Sequence, residues 1–325
     1  MKIAFHVDNL SLRGTTTAIL DYAKYNKKLL DNESIICYNK SLLSDDRDQN
    51  FSKRFEISQM FKSNYDVIEY DNKSQLKEEL DKRSCEHVYF LKSGYIDDNY
   101  IEGKKNLIHV VFNYYQPHGH RYAYVSDWLA NQSSGNKCDF VPHIVCLPEK
   151  PQKNIRKELN ISDKHLVIGR YGGLDQFDIP FVYEIIDFIV KNDSSIVFLF
   201  VNTKKFINHP NVIFLDPIID PQDKTNFILS CDAMIHARSD GESFGLSICE
   251  FLFHNKPVLS YGGGRDKNNV ALLEEYGLIF NNQYELLDKL FKLKYNAYSE
   301  QFSEIVEKFS PDVVMKKFDQ IFLRN

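Results

Sequence analysis

The sequence predicts an α/β protein built from two doubly wound units, each a parallel sheet flanked by helices. Three observations carry this expectation. Short apolar runs alternate with amphipathic stretches almost from end to end, the alternation pauses once near residue 150, and the halves on either side are of comparable length. A chain of 325 residues suits two domains, and a hydrophobic share of 43% supplies full-sized cores.

In the first half, KIAFHV (2–7) reads as the opening strand, followed by the loop DNLSLRGTTTA (8–18) and a helical pattern from about Thr16 to Leu30. ESIICYN (33–39), DVIEY (66–70), HVYFL (87–91), NLIHVVF (106–112) and YAYVS (122–126) continue the strands. Residues 41–64 are polar and read as a loop with some helix. LPEKPQKNIRKEL (147–159), with two prolines and little apolar content, reads as an interdomain linker running into a short helix, which sets the domains at 1–148 and 149–325. In the second half HLVIGRY (165–171), SIVFLFV (195–201), NVIFLD (211–216), AMIHA (233–237), PVLSYG (257–262) and GLIF (277–280) read as strands. Between them PFVYEIIDFIVKN (180–192), with Pro180 at its first turn, PQDKTNFILSC (221–231), SFGLSICEFLFHN (243–255) and DKNNVALLEEYG (266–277) read as helices. The last helix carries Val313, Val314, Phe318, Ile321 and Phe322 at a spacing that suits packing against a domain surface, the first domain being the candidate.

A net charge of −5 supplies no long-range attraction for nucleic acid or anionic lipid. No apolar run approaches the roughly 18 residues of a membrane span, and MKIAFHVDNL turns polar too soon for a signal peptide. Cys37, Cys85, Cys138, Cys146, Cys231 and Cys249 lack the close pairs of a zinc site, and they read as reduced core thiols of a cytoplasmic protein. Peripheral membrane contact stays open, since KKFINHP (204–210) or the 53–83 region could present local positive charge.

The segment 236–251, HARSDGESFGLSICEF, raises the functional question, because a helix this apolar carries Glu250 and is preceded by Glu242. Taken as helix over 243–254, Ser243, Ser247, Glu250 and His254 form one polar stripe, which on one reading is simply solvated. Three features favour a ligand site. The helix starts beyond the carboxyl end of a buried-looking strand. Gly241 and Gly245 flank the turn, where unpaired N–H groups and the helix dipole suit a phosphate. His236, Arg238, Asp240 and Glu242 crowd the same point. Two turns of helix place Glu250 roughly 12 Å from Glu242, the length of a nucleoside diphosphate sugar.

Glu242 to Glu250 resembles the E-x7-E element of retaining glycosyltransferases with the GT-B fold, especially glycosyltransferase family 4. NKPVLSYGGG (255–264) resembles that family's G-x-P-V segment, with Asn255 where glycine is usual, and GRYGG (169–173) resembles the strand-to-loop element that opens its donor domain. The resemblance implies two Rossmann-like domains facing across a cleft, an acceptor-binding domain first and a nucleotide-sugar donor domain second. It implies that Glu250 binds the ribose hydroxyls, since a carboxylate accepts two O–H donors at once. Glu242 would approach the transferred sugar, and the backbone at Ser243, Phe244, Gly245 and Leu246 would meet the diphosphate. Arg170, beside Gly172 and Gly173, matches the arginine that neutralises the leaving group. The lysine usual a few residues later is absent, with none between Arg170 and Lys191, and Arg238 or Arg265 is a candidate substitute; a surface salt bridge is the alternative for either.

In the first domain the resemblance implies an acceptor-side loop, which falls on Arg13, Gly14 and Thr15, the alternative being a capped turn. It also implies a sugar-contacting histidine. His109 lies within a strand and reads as core, His118 beside Pro117 and Gly119 is the catalytic candidate, and His120 is the spare. In YGGGRDKNN (261–269), Asp266 and the amides of Gly263 and Gly264 either approach the donor sugar or form a plain turn with Asp266 as N-cap. The implied reaction moves a sugar from a nucleotide-diphosphate sugar to a glycan or other hydroxyl acceptor with retention. Preorganised N–H groups and an arginine would carry the growing phosphate charge without a metal or another cofactor. No convincing DxD site is present, and SDDR (44–47) reads as solvated. A dinucleotide oxidoreductase is disfavoured because DNLSLRG, after the first strand, holds one glycine rather than G-x-G-x-x-G. An epimerase or hydrolase of the same fold and a non-catalytic nucleotide-sugar-binding protein are the remaining alternatives.

Overall fold

The computed structural model describes residues 1–10, 14–43, 51–218, 220–276, 278–295 and 301–324; Arg13 and the segment 44–47 lie outside them. Contacts divide the chain into two compact units, Met1–Ile144 with Pro311–Asn325, and Val145–Ser310.

Unit 1 is built on β1 (Lys2–His6), β2 (Glu33–Asn39), β3 (Asp66–Tyr70), β4 (His87–Lys92), β5 (Lys105–Val110) and β6 (Arg121–Tyr124). All pair in parallel, in the order β3-β2-β1-β4-β5-β6. Their runs are buried through the middle, as both faces of a parallel sheet are covered: Ile3, Ala4, Val88, Tyr89, Leu107 and Ile108 are fully buried. The helices α1 (Gly14–Leu30), α2 (Phe51–Asn64) and α3 (Lys73–Lys82) join the first four strands, and α4 (Asp127–Ser134) follows β6. Segments 93–104 and 111–120, which join β4 to β5 and β5 to β6, are irregular. Their glycines, Pro117 and asparagines give no helix to propagate.

Unit 2 repeats the plan with β7 (Leu166–Tyr171), β8 (Ile196–Val201), β9 (Val212–Leu215), β10 (Ala233–His236), β12 (Val258–Tyr261) and β14 (Ile279–Phe280). Their order, β9-β8-β7-β10-β12-β14, is the same winding as in unit 1. Two further strands, β11 (Gly241–Glu242) and β13 (Asp266–Lys267), pair in parallel as a separate ribbon. The helices are α5 (Ile155–Glu158), α6 (Pro180–Asn192), α7 (Pro221–Ser230), α8 (Leu246–Phe253), α9 (Asn268–Leu273) and α10 (Gln283–Tyr295). Proline opens both α6 and α7. Asp220 caps α7, its carboxylate accepting from the amides of Gln222 and Asp223.

Two expected helices start later than their spans. The helix expected from Ser243 begins at Leu246, because Gly245 adopts φ +89° as its N-cap and leaves Ser243 and Phe244 in the preceding turn. The helix expected from Asp266 begins at Asn268, because Asp266 and Lys267 extend to pair with Gly241 and Glu242. Residues 147–159 are fastened to α7. Thr225 Oγ1 donates to Pro148 O (3.0 Å), Gln222 Nε2 to Lys150 O (2.9 Å), and Asn226 Oδ1 accepts from the Gln152 and Lys153 amides (2.7 and 3.3 Å).

Four of the six cysteines are buried as expected of core thiols, but Cys138 is half-buried and Cys146 exposed. No helix of the described residues is long and apolar enough to cross a membrane.

The chain ends in α11 (Pro311–Phe318) and a wide turn, Asp319–Leu323. Phe318 is fully buried, stacking on Tyr22 of α1 at 5.3 Å and meeting Tyr89 of β4 at 5.5 Å. Val314 and Phe322 are buried beside it, whereas Val313, rotated about 100° from its neighbour, is 51% exposed. Replacing Phe318→Ala should therefore cost about 3–5 kcal/mol and Val313→Ala less than about 0.5 kcal/mol. Urea and thermal unfolding of the two variants measure the difference.

Candidate active site in the second unit

In a doubly wound sheet, ligands dock beyond the carboxyl ends of the strands where the winding reverses. In unit 2 that place lies between the ends of β7 and β10, at Tyr171 and His236. The turns that follow β7, β10 and β12 bring Gly172–Gly173, residues 237–245 and residues 262–266 to the same end.

Glu242 is the centre of a hydrogen-bonded chain. Its Oε1 lies 3.0 Å from His236 Nε2 and its Oε2 3.3 Å from Arg238 Nη1. The parallel register sets His236 beside Ser260, and their side chains meet at 2.9 Å through Nδ1 and Oγ. Asn269 Nδ2 donates to Ser260 Oγ (2.8 Å). One set of donors satisfies the chain: Asn269 to Ser260, Ser260 to His236, His236 to the carboxylate, which can only accept. Burial alone would raise the Glu242 carboxyl, but the His236 hydrogen bond and the Arg238 charge outweigh it and hold the group below its ordinary value.

The turn is shaped by close backbone approach. Gly241 takes φ +69°, and a Cβ there would run into the Asp266 carbonyl. Gly245 accepts the first helical hydrogen bond, from the Cys249 amide at 3.0 Å, and no side chain caps α8. Ser243 is half-buried, Phe244 is 3% exposed and Leu246 9%. Asn268 Nδ2 fixes the turn by donating to Phe244 O (2.6 Å).

Glu250 is 4% exposed, so the polar stripe faces protein rather than water. Its Oε1 accepts from Lys224 Nζ of α7 at 2.9 Å, and His254 Nε2 approaches Thr225 Oγ1 of the same helix at 3.4 Å. Lys224 Nζ also sits 5.7 Å from the centre of the Tyr171 ring, which stacks on Phe251. The Tyr171 hydroxyl is buried and has no hydrogen-bond partner among the described residues.

Arg170 is 3% exposed, and burial brings its guanidinium down to about 10. Nη1 donates to Asn202 O (3.1 Å) and Thr203 Oγ1 (2.6 Å), and Nη2 to Gly173 O (2.9 Å). These bonds tie the loop after β7, at Gly173, to the loop after β8, at Asn202 and Thr203, and Asn202 Nδ2 also donates to Gly172 O (2.8 Å). Arg238 reaches Asp240 as well as Glu242, and its Nε is buried with no hydrogen-bond partner among the described residues. Arg265 is exposed and spans Asp240 and Asp266 at 3.4 and 3.5 Å. The buried Asp266 is a strand residue, not an N-cap: Lys267 occupies that position without a side-chain cap.

The remaining candidates belong to unit 1. Gly14 begins α1 and is exposed, with Thr15 half-buried behind it. His118 lies in the β5–β6 crossover, its Nδ1 2.7 Å from Gln116 O, and His120 is exposed nearby. His109 is fully buried against Tyr89 Oη (2.6 Å) and Val141 O (2.8 Å), and burial pushes it down to about 4.

No known family model matches the sequence, and no curated protein matches it either. Solved structures do. A glycosyltransferase from Rickettsia africae ESF-5 superposes with TM-score 0.69 at 15% identity over 99% of this chain and 97% of that one. HepE of Anabaena in complex with UDP-glucose does so with TM-score 0.66 at 12% identity, over 99% and 95%. The chain has the GT-B fold. A putative UDP-N-acetylglucosamine 2-epimerase of Listeria monocytogenes shares it, with TM-score 0.61 at 11% identity over 98% and 94%.

Within this GT-B chain, one group of the cluster has no signal in the sequence: Lys224 sits 26 positions before Glu250 on another helix, and no local pattern joins them. His236 is legible as one of the groups crowding the turn, and its contacts with Glu242 and Ser260 are set by the fold.

Two expectations follow. Lys224→Met removes the cation 2.9 Å from the buried Glu250 carboxylate and should cost about 3–5 kcal/mol, most of it recovered in Lys224→Met/Glu250→Gln; thermal unfolding of the single and double variants reads this. Because folding lowers the Glu242 carboxyl, its stabilisation is complete above its unfolded value and lost as pH falls through the folded one. The melting-temperature gap between wild type and Glu242→Gln should therefore narrow from pH 7 to pH 3.

Proposed function

We propose that the chain is a glycosyltransferase that binds a nucleotide-diphosphate sugar at the carboxyl ends of β7 and β10. One observation carries this reading. Two carboxylates eight residues apart, each with its own cation, bracket a glycine-capped helix start that no side chain caps. In this reading Glu250, oriented by Lys224, receives the ribose hydroxyls, and the amides opening α8 receive the pyrophosphate. Arg238, whose buried Nε lacks an acceptor, supplies charge in place of the absent lysine, with Arg170 holding the adjoining loop. Glu242 stands at the sugar end, and unit 1 takes the acceptor.

Sugar transfer builds positive character on the anomeric carbon and negative charge on the leaving phosphate. Fixed N–H groups and a guanidinium stabilise the latter without reorganisation. Retention follows when the acceptor hydroxyl attacks on the face the diphosphate leaves and a phosphate oxygen takes its proton. HepE was solved with UDP-glucose, which supports a uridine donor as the first to test.

The test is a thermal-shift panel of UDP-, GDP-, ADP- and dTDP-sugars. At a hundredfold excess over Kd the right donor should add about 2.7 kcal/mol, a rise of roughly 5–10 °C for a unit of this size. Glu250→Ala should abolish the rise, and a flat response to all four would end the proposal. The Listeria neighbour favours a second reading, epimerisation or hydrolysis. Incubating the donor without acceptor separates the two: release of inverted or free sugar at turnover rates supports the second, and Glu242→Ala should remove either activity.

A further inference from the structure

Unit 1 carries an exposed aromatic surface that the donor chemistry does not use. Of fifteen exposed large hydrophobic side chains among the described residues, six fall within residues 95–115: Tyr95, Ile96, Tyr100, Phe112, Tyr114 and Tyr115, each 43–65% exposed. They lie on segments 93–104 and 111–120, which leave the carboxyl ends of β4 and β5. Ligands of parallel sheets dock at that end.

The two segments are bound to one another. The rings of Tyr95 and Tyr114 meet edge to face at 5.4 Å. The Ile96 amide donates to Gln116 Oε1 (2.9 Å). The Tyr122 hydroxyl lies 2.8 Å from Gly94 O and 3.1 Å from Tyr114 O, and the Tyr124 hydroxyl donates to Tyr114 O (2.7 Å). Hydrogen bonds between the two segments, exposed or half-buried themselves, therefore hold apolar rings at the surface, where the rings contribute little to the core. Such a patch marks an interaction site, and its fixed loops lower the entropy lost on binding.

The chemistry of the patch selects its occupant. Residues 94–96 and 111–117, GYI and VFNYYQP, carry no charged side chain. Beside them lies a cavity of about 550 Å³ whose walls include Ile96, Tyr100 and His118 together with two lysines, two aspartates and one glutamate, a size that holds small ligands. His118 Nδ1 faces the Gln116 carbonyl and so carries the ring hydrogen. Nε2 is buried with its lone pair and has no hydrogen-bond partner among the described residues. A hydroxyl donor would satisfy it.

We propose that this face binds a neutral saccharide chain, its sugar rings lying on the tyrosines and one hydroxyl donating to His118 Nε2. Aromatic faces cover the C–H faces of pyranose rings, while ring-edge hydroxyls need uncharged partners such as Asn113 and Gln116. An anionic bilayer would call for net positive charge, whereas segments 94–96 and 111–117 carry none and three acids outnumber the two lysines of the cavity wall. An apolar protein partner would call for aliphatic side chains, and Ile96 is the one aliphatic of the six. That the saccharide is the acceptor rests on the transferase reading above; that it binds does not.

The test is saturation-transfer NMR on the full chain with maltohexaose, cellohexaose and chitohexaose, at 50 and 500 mM NaCl. At least one should bind with an affinity insensitive to salt, weakened about tenfold or more by Tyr95→Ala and by Tyr114→Ala. Tyr95→Phe and Tyr114→Phe keep the ring and should stay within about threefold of wild type. Tyr284→Ala, on exposed α10 of unit 2, should change nothing. Absence of signal from all three sugars, equal binding by the alanine variants, or vesicle binding or self-association that the alanine variants abolish would each overturn the proposal. The donor-induced thermal shift is read in parallel: its loss in wild type refutes the transferase reading, while the saccharide titration alone decides this one.

Discussion

Two carboxylates withheld from water at the end of one parallel sheet set the terms for everything around them. Taking an ion out of water costs several kcal/mol unless charge and hydrogen bonds compensate it. Glu242 is compensated by His236 and Arg238, and Glu250 by Lys224. These partners come from β10, the turn after it, and α7, so the demand for compensation fixes three separate pieces of chain against one another. In the function proposed above, a nucleotide sugar would offer hydroxyls to Glu250 and phosphate oxygens to the intervening amides, among charges already in place.

The backbone serves the same end. Gly241 approaches the Asp266 carbonyl more closely than any side chain would permit, and this lets β11 and β13 pair. Gly245 turns the chain into α8 with a left-handed residue and leaves the helix start without a side-chain cap. Both glycines give up the stabilisation that an ordinary cap would add, the kind of local concession that sites make and cores do not.

The two units share one winding and differ in chemistry. The carboxyl end of the second sheet gathers buried charged side chains, whereas the segments leaving β4 and β5 of the first set exposed tyrosines beside Asp97, Asp98 and Glu102. A fold class therefore says little about what either end binds, and the residues placed there decide it.

Much of the architecture was legible in particular residues. The helix 180–192 matched its expected span because Pro180 fixes its start and its apolar period is regular. The parallel strands were legible as buried apolar runs. The helix expected from Ser243 slipped by three residues because a positive φ at Gly245 leaves no mark on periodicity. Sequence alone determined the alternation of strands and helices and the two-unit plan, since these follow from local hydrophobic period and turn residues. Only the tertiary structure decided which cation meets which carboxylate, that Glu250 is buried, and that Asp266 is a strand residue rather than a cap. Those contacts join residues distant in sequence, and nothing in local spacing records the register and packing that bring them together.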